Sequence, residues 1–198
     1  AGRPLLTTPL YDILASKGAQ FSASFGLETA LWYAPKGVEE QFSWRRSTDF
    51  EPVGKEAKAV RNSVGVCEIS GFAKYEVTGS GAADWLDNIL ANTLPAIGKI
   101  TLAPMLKEDG RIIGDFTLAR LASDRFLIIG SGIAEAYHMR WFNTHLPEGE
   151  DIRVTSIGLG LTGLSIAGPH ARDVLASVTH SDVSHHAMPF MSIKELDI

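Results

Sequence analysis

The chain has 198 residues, 45% of them hydrophobic and 21% charged, with a formal net charge of −5. That length suits one large or two small domains, and the composition is that of a globular protein with a sizeable core. The acidic balance argues against a general affinity for nucleic acid or anionic membrane, and no run reaches the roughly 18 apolar residues of a membrane-spanning helix.

In chain order, residues 1–8 read as extended and poorly anchored. The opening lacks a signal peptide and an initiator Met, which suggests a processed chain or an excised piece. Residues 9–16 read as a short helix, with Thr8 as N-cap, Pro9 at the first position and Gly18 at the exit. Residues 19–49 read as irregular and aromatic-rich, through Phe21, Phe25, Trp32, Tyr33, Phe42 and Trp44. Without a basic groove, such a stretch is a layer packed across a core rather than a platform for bases. Arg45 and Arg46 read as a salt-bridged surface pair. A helix starts near Asp49 and runs through Val53, Ala57 and Val60 towards Gly65.

Strands are predicted at 66–69 and 73–78. The single cysteine, Cys67, rules out an internal disulfide framework. It fits a reducing, cytoplasmic setting and reads as a buried structural thiol. Ser80 is an N-cap candidate for a helix over 82–91, with Trp85, Leu86, Ile89 and Leu90 on its apolar side. A hairpin follows: strand 100–106, the turn Lys107-Glu108-Asp109-Gly110, then strand 111–121. Ser123-Asp124 separates this from a third strand, 125–129. A helix over 133–145, a loop over 147–151, strands 152–157 and 161–167, a helix over 171–178 and a final strand near 191–196 complete the reading. The section 66–146 runs β-β-α-β-β-β-α, an antiparallel α+β arrangement.

Asp115 stands out. It is one acid inside the apolar run Ile112-Ile113-Gly114-Asp115-Phe116-Thr117-Leu118. Alternation places Arg111, Ile113, Asp115, Thr117 and Ala119 on one face and Ile112, Phe116 and Leu118 on the other. A carboxylate suits a strand poorly unless it faces solvent or a polar cavity. It is either a solvated surface acid or a base held at the wall of a ligand site.

Other motifs lead to structure rather than chemistry. Gly158-Leu159-Gly160-Leu161-Thr162-Gly163 matches G-x-G-x-x-G, but the residues that follow read as strand, where a dinucleotide site needs a helix. His180, His185 and His186 lie in a polar loop and lack metal-ligand spacing. His138 and His145, seven apart on a helix, share a face but cannot grip one metal. No structural metal is expected, and no Ser-His-Asp set is recognisable.

The segment Gly110-Arg111-Ile112-Ile113-Gly114-Asp115 resembles the G-G-x-x-x-D run of the aminomethyltransferase (glycine-cleavage T-protein) family, with Arg111 for the second Gly. Val64-Gly65-Val66-Cys67-Glu68-Ile69-Ser70 resembles that family's entry motif, with Glu68 for Asp. Ile166-Ala167-Gly168-Pro169-His170-Ala171 resembles its later strand-to-helix turn. Thr8-Pro9-Leu10-Tyr11-Asp12, Gly18-Ala19-Gln20-Phe21 and the run from Gly26 to Tyr33 are most similar to the folate-binding region of dimethylglycine and sarcosine dehydrogenases. Leu27 and Thr29 there replace a Trp and an Arg.

The resemblance implies an α+β, T-protein-like folate-binding fold of antiparallel sheets with flanking helices, its C-terminal barrel domain missing. The implied divisions are 1–65 (first part of domain 1), 66–151 (central α+β domain) and 152–198 (a return to domain 1). The implied function is tetrahydrofolate-dependent transfer of an aminomethyl or methylene unit from a small amine-derived donor. Flavin (FAD) would sit only in a fused or partner oxidoreductase. Asp115 is the implied proton acceptor and charge stabiliser. Leu102, Pro104, Ile129, Ser131 (where the family has Asn) and Phe72 are the implied folate contacts. The family's Y-x-G-E segment does not occur before Ile198. The alternative is a non-catalytic folate-binding or interaction module that keeps the fold. The K-G-C-Y-x-G-Q-E signature of folate-binding iron–sulfur assembly proteins is absent.

Overall fold

The computed structural model describes residues 2–198. In chain order the elements are α1 (Tyr11–Ser16), β1 (Ala19–Ser24), β2 (Leu27–Tyr33), α2 (Phe50–Asn62), β3 (Gly65–Glu68), β4 (Ala73–Thr78) and α3 (Ala82–Ile89). There follow β5 (Lys99–Leu106), β6 (Ile112–Arg120), β7 (Arg125–Gly130), α4 (Glu135–His145), β8 (Arg153–Ser156), β9 (Leu164–Ala167) and α5 (Ala171–Val178). They fall into two compact units. Unit 1 is the chain up to Gly71 with Thr162–Ser177; unit 2 is Phe72–Leu161 with Val178–Ile198. Residues 152–161 and 178–198, grouped above with the first domain, thus lie with the central one.

Unit 2 is built on a five-stranded antiparallel sheet in the order β5-β6-β7-β4-β8. Its strands alternate large apolar and smaller or polar residues, so one face packs and the other does not. The packed face carries Ala103 and Met105 of β5, Phe116 and Leu118 of β6, Phe126 and Ile128 of β7, and Tyr75 and Val77 of β4, all buried. Helices α3 and α4 cover this face. Trp85 and Leu86 come from α3, and Phe142 from α4. Phe142 meets the rings of Tyr75 at 5.3 Å, Phe116 at 5.9 Å and Trp85 at 6.0 Å. Trp85 donates its indole N–H to the carbonyl of His145 at 2.8 Å, which ties the two helices together.

The Phe116 ring lies so close to its own sheet that two glycines are required beneath it. A Cβ on Gly114 would stand 2.3 Å from Phe116 Cζ, and one on Gly130 would stand 2.6 Å from Phe116 Cδ1. The β5–β6 ladder also slips here: Met105 pairs with Gly114 but Leu106 pairs with Ile112. Ile113 is therefore the extra residue of a β-bulge.

Unit 1 holds two two-stranded antiparallel ribbons, β1–β2 and β3–β9, with α1, α2 and α5. Residues 19–33, read above as irregular, are in fact a hairpin. Its two-residue turn is Phe25-Gly26, both left-handed at φ 51° and 89°. That is the turn geometry a tight hairpin needs, but Phe in the first position hides the usual Asn-Gly signal. The N-terminal segment is also better anchored than expected. Glu28 N–H donates to the Leu6 carbonyl, and Leu6 N–H to that of Gly26, at 2.9 and 3.1 Å. Arg3 Nε donates to Glu28 Oε1 at 2.8 Å, a second guanidinium nitrogen reaches Glu28 Oε2, and Glu28 is only 2% exposed.

Neither expected N-cap serves as one. The α1 cap is Leu10, and Thr8 Oγ1 is buried with no hydrogen-bond partner. The α3 cap is Gly81, because Ser80 turns to the Asp151 carboxylate instead. The final strand reduces to a single bridge, Ser192 with Lys99. Arg46 lies over the Phe50 ring at 4.3 Å.

Two outcomes follow from this packing. Gly114→Ala should lose about 1–3 kcal/mol in denaturant unfolding, because the Phe116 ring is buried and cannot move aside cheaply. Hydrogen bonding from Arg3 holds the Glu28 carboxyl below its ordinary range. A group with a depressed folded pKa stabilises the fold above its unfolded pKa, about 4.3, and that help is lost as pH falls through the folded value. Glu28→Gln should therefore melt below the parent at pH 7, and the gap should close on acidification below about pH 4.

Candidate functional site

The face of the unit 2 sheet turned away from α3 and α4 carries four of the six residues singled out from sequence, and the other two lie just beyond its strand ends. The registers place Leu102 opposite Thr117, Thr117 opposite Ile129, and Ile129 opposite Lys74, so these four form one row across β5, β6, β7 and β4. Pro104 opposes Asp115 in the next row. Ser131 follows β7 two residues after Ile129, and Phe72 precedes β4 two residues before Lys74. Both lie just outside the strands.

Asp115 is exposed on this face, and Leu102 and Phe72 are 62% and 48% exposed. Pro104 and Ile129 are half-buried, and Ser131 is exposed. Water thus reaches an apolar strip with a carboxylate at its side. The core face directly beneath is closed, since Ala103, Phe116, Leu118 and Ile128 are buried there. The chemistry this allows is stacking or apolar contact along the row, with proton acceptance or charge stabilisation at Asp115.

Two members of the row were missed from sequence. Thr117 puts a hydroxyl between Leu102 and Ile129. Lys74 is buried and donates to the Phe72 carbonyl at 2.8 Å, which fixes the start of β4. Burial lowers its pKa, and the charge of Glu135 works the other way. The alternation Phe72, Lys74, Glu76 was the available signal. A lysine mid-strand reads as solvated, so the pattern carries no signal for a site.

The other motif residues do structural work. Ser70 Oγ donates to Glu68 Oε1 at 2.8 Å and accepts from Gly163 N–H at 3.1 Å, closing the loop after β3. Gly168 has φ 122°, and a Cβ there would meet the Ser63 carbonyl oxygen at 2.3 Å, so the turn into α5 requires glycine. Gly158–Gly160 forms one 3-10 turn, and Gly163 leads into β9, antiparallel to β3, rather than into an α-helix. His180, His185 and His186 are exposed, and among the described residues no three metal-ligating side chains converge. His138 and His145 differ in setting: the first is buried, and the second is exposed and stacked on Trp141 at 4.1 Å. Among the described residues no helix is long and apolar enough to cross a membrane.

Cys67 corrects an expectation. It is exposed, not buried. β3 belongs to a two-stranded ribbon, which has too little sheet to cover both of its faces.

The GCVT N-terminal domain family matches residues 10–198. The chain belongs to that family. It is 34% identical to rat mitochondrial dimethylglycine dehydrogenase over 202 residues, covering 100% of this chain and 24% of that protein. It is also 34% identical to the sarcosine oxidase alpha subunit of Rhizobium meliloti, covering 99% of this chain and 20% of that subunit. The chain thus spans about a quarter or less of the curated relatives it matches. Among solved structures, the glycine cleavage system aminomethyltransferase T of Bartonella henselae superposes with a TM-score of 0.76 at 26% identity, covering 95% of this chain and 46% of that one. The fold is accordingly that of the aminomethyltransferase T-protein, mixed α and antiparallel β, and this chain corresponds to its N-terminal part. The rat relative is mitochondrial by name, so the expected cytoplasmic setting is not general among these relatives.

The exposure of Cys67 has a direct readout. A disulfide thiol reagent should titrate one thiol per chain in native buffer, at the rate seen after denaturation to within about tenfold.

Proposed function

We propose that this chain is the tetrahydrofolate-binding part of a one-carbon transferase, moving an aminomethyl or methylene unit from a small amine-derived donor. One observation carries the reading. Asp115, Leu102, Pro104 and Ile129 share the face of one sheet opposite α3 and α4, Ser131 and Phe72 lie just beyond its strand ends, and Leu102 and Phe72 are the most exposed apolar residues among the six. Leu102 and Phe72 give this side of the sheet exposed apolar surface beside a carboxylate. A flat ring system joined to an aromatic tail fits a strip of this chemistry.

Leu102, Pro104, Ile129 and Phe72 would hold such a ligand by apolar contact, and Ser131 by a hydrogen bond from its hydroxyl. Tetrahydrofolate, when bound, supplies the nitrogen that receives the carbon. Asp115 would take the proton released there and oppose the positive charge that develops. Its place on a strand, rather than a loop, limits its motion. The methylene unit would come from a flavin oxidoreductase, fused or associated, whose flavin oxidises the donor amine to its iminium. Dimethylglycine dehydrogenase and a sarcosine oxidase subunit among the relatives support that arrangement.

A second reading is a non-catalytic module with the same fold. A mouse protein named as the pyruvate dehydrogenase phosphatase regulatory subunit is 28% identical over 100% of this chain, which favours it. The presence of Asp115 on the exposed face favours the first.

Calorimetric titration with tetrahydrofolate, together with methylene-tetrahydrofolate formation from formaldehyde as the one-carbon probe, separates the two. Leu102→Asp should weaken binding at least about tenfold by placing a charge on the apolar strip. Asp115→Asn should bind normally and lose about a hundredfold in transfer rate above background. Binding without transfer in the parent protein would establish the second reading. Parent rates in Asp115→Asn would make Asp115 a surface acid.

A further inference from the structure

Unit 1 contains a cavity of about 420 Å³, a size typical of small-molecule sites. Residue spacing explains its walls. On α2, Glu56, Ala59 and Val60 stand at i, i+3 and i+4 and so share one side of the helix. On β2, Leu31 and Tyr33 alternate onto one face. In the β3–β9 ribbon, Gly65 opposes Ala167 and Cys67 opposes Ser165, so these four also share a face. The helix lies directly on the ribbon at one point: a Cβ on Gly65 would stand 2.4 Å from Val60 Cγ2.

The chemistry of the wall is one-sided. Leu31, Ala59, Val60 and Val66 make much of it apolar. Glu56 and Glu68 bring two carboxylates, and no lysine, arginine or histidine lines the space. Tyr33 N–H donates to Glu56 Oε1 at 3.2 Å, which ties that carboxylate to the end of β2. The Ser70 hydroxyl donates to Glu68 Oε1 at 2.8 Å. Among the described residues neither acid forms an ion pair. Burial pushes the Tyr33 phenol up, and Cys67, Glu56 and Glu68 stand near enough to add to it, so the phenol keeps its hydrogen.

Such a wall selects by charge. A carboxylate in a partly enclosed apolar space, with no cation beside it, gains most from a partner that is positive and brings its own N–H donors. An ammonium has up to three such donors, and Glu56, Tyr33 and Ser165 all carry oxygen acceptors. An anion is repelled, and a neutral molecule leaves the acids unpaired.

We infer that this cavity is a binding site for a small protonated amine with an apolar body and no carboxylate of its own, held through Glu56. Dimethylglycine and sarcosine, for which two relatives are named, carry a carboxylate that would meet Glu56 and Glu68. The site is therefore not a second place for such donors. It lies wholly in unit 1, whereas Asp115 belongs to unit 2, and it does not rest on the transfer reading.

The plain alternative is an apolar groove whose acids are simply solvated. The two accounts differ in how binding depends on charge. Cys67 supplies a reporter of place, since its thiol is exposed and lines the cavity.

The probe is phenethylamine, added to the whole chain at neutral pH. Phenethyl alcohol is its neutral counterpart and sarcosine the zwitterion. The amine should bind saturably in calorimetry and slow titration of Cys67 by a disulfide reagent at least about threefold. The alcohol and sarcosine should bind at least about tenfold more weakly. Glu56→Gln should weaken the amine about tenfold, the scale of a charge-assisted hydrogen bond, and leave the alcohol within about twofold. Ala59→Phe, at an exposed helix position that accepts a ring without disturbing the fold, should fill the space and abolish binding. Circular dichroism should show both variants folded as the parent.

Equal affinity for amine and alcohol, or parent affinity in Glu56→Gln, would reduce the cavity to an apolar groove. Binding that leaves Cys67 unprotected, or that survives Ala59→Phe, would place the amine elsewhere on the chain. Failure of the amine to bind would remove the site. No folate and no turnover enter these measurements, so none of these results bears on Asp115.

Discussion

The Phe116 ring lies flat across the backbone of Gly114 and Gly130, and unit 2 is arranged around that contact. With the ring pressed into the sheet, His138 and Phe142 of α4 can approach from one side, at 4.8 and 5.9 Å from it. Tyr75 meets the same ring edge-on at 6.3 Å. This cluster decides which face of β6 is the inside. A slip of one residue would drive Asp115 into the aromatics and push Phe116 into water, so register is strongly determined here. The exposure of Asp115 and Leu102 on the far side is the other half of the same constraint.

The central sheet was largely legible from sequence because three signals agreed there. The strands alternate, the turns carry Asp-Gly and Ser-Asp, and each apolar set is long enough to define a face. The resemblance then supplied positions for the site, and alternation puts four of those positions together on one face. The bulge at Ile113 was not legible, since no residue type marks it. The charge of Lys74 argues for solvent, whereas the chain folds its ammonium back onto the Phe72 carbonyl.

Unit 1 was harder to read, and the reasons are local. The hairpin turn uses Phe25 in a left-handed conformation that aromatic residues seldom adopt. Ser80 and Thr8 were sound N-cap candidates by residue type. One found a carboxylate partner and the other was drawn into the interior. Cys67 was assigned to a core that a two-stranded ribbon does not possess. Within this unit the Arg3–Glu28 pair and the close approach of Gly168 to the Ser63 carbonyl hold together backbone that apolar burial covers only thinly.

The four tryptophans are distributed so that each unit has its own optical signature. Trp32 is buried in unit 1, with its indole N–H donated to Glu40, and Trp85 is buried in unit 2. Trp44, in the segment between β2 and α2, stands fully in water, and Trp141 is stacked on His145 at the end of α4. Indoles in such different surroundings emit at different wavelengths, the buried ones towards the blue. With Trp44, Trp85 and Trp141 replaced by Phe, the remaining emission would come from Trp32 alone, and with Trp32 and Trp44 replaced it would come from unit 2. The loss of order in each unit could then be watched separately.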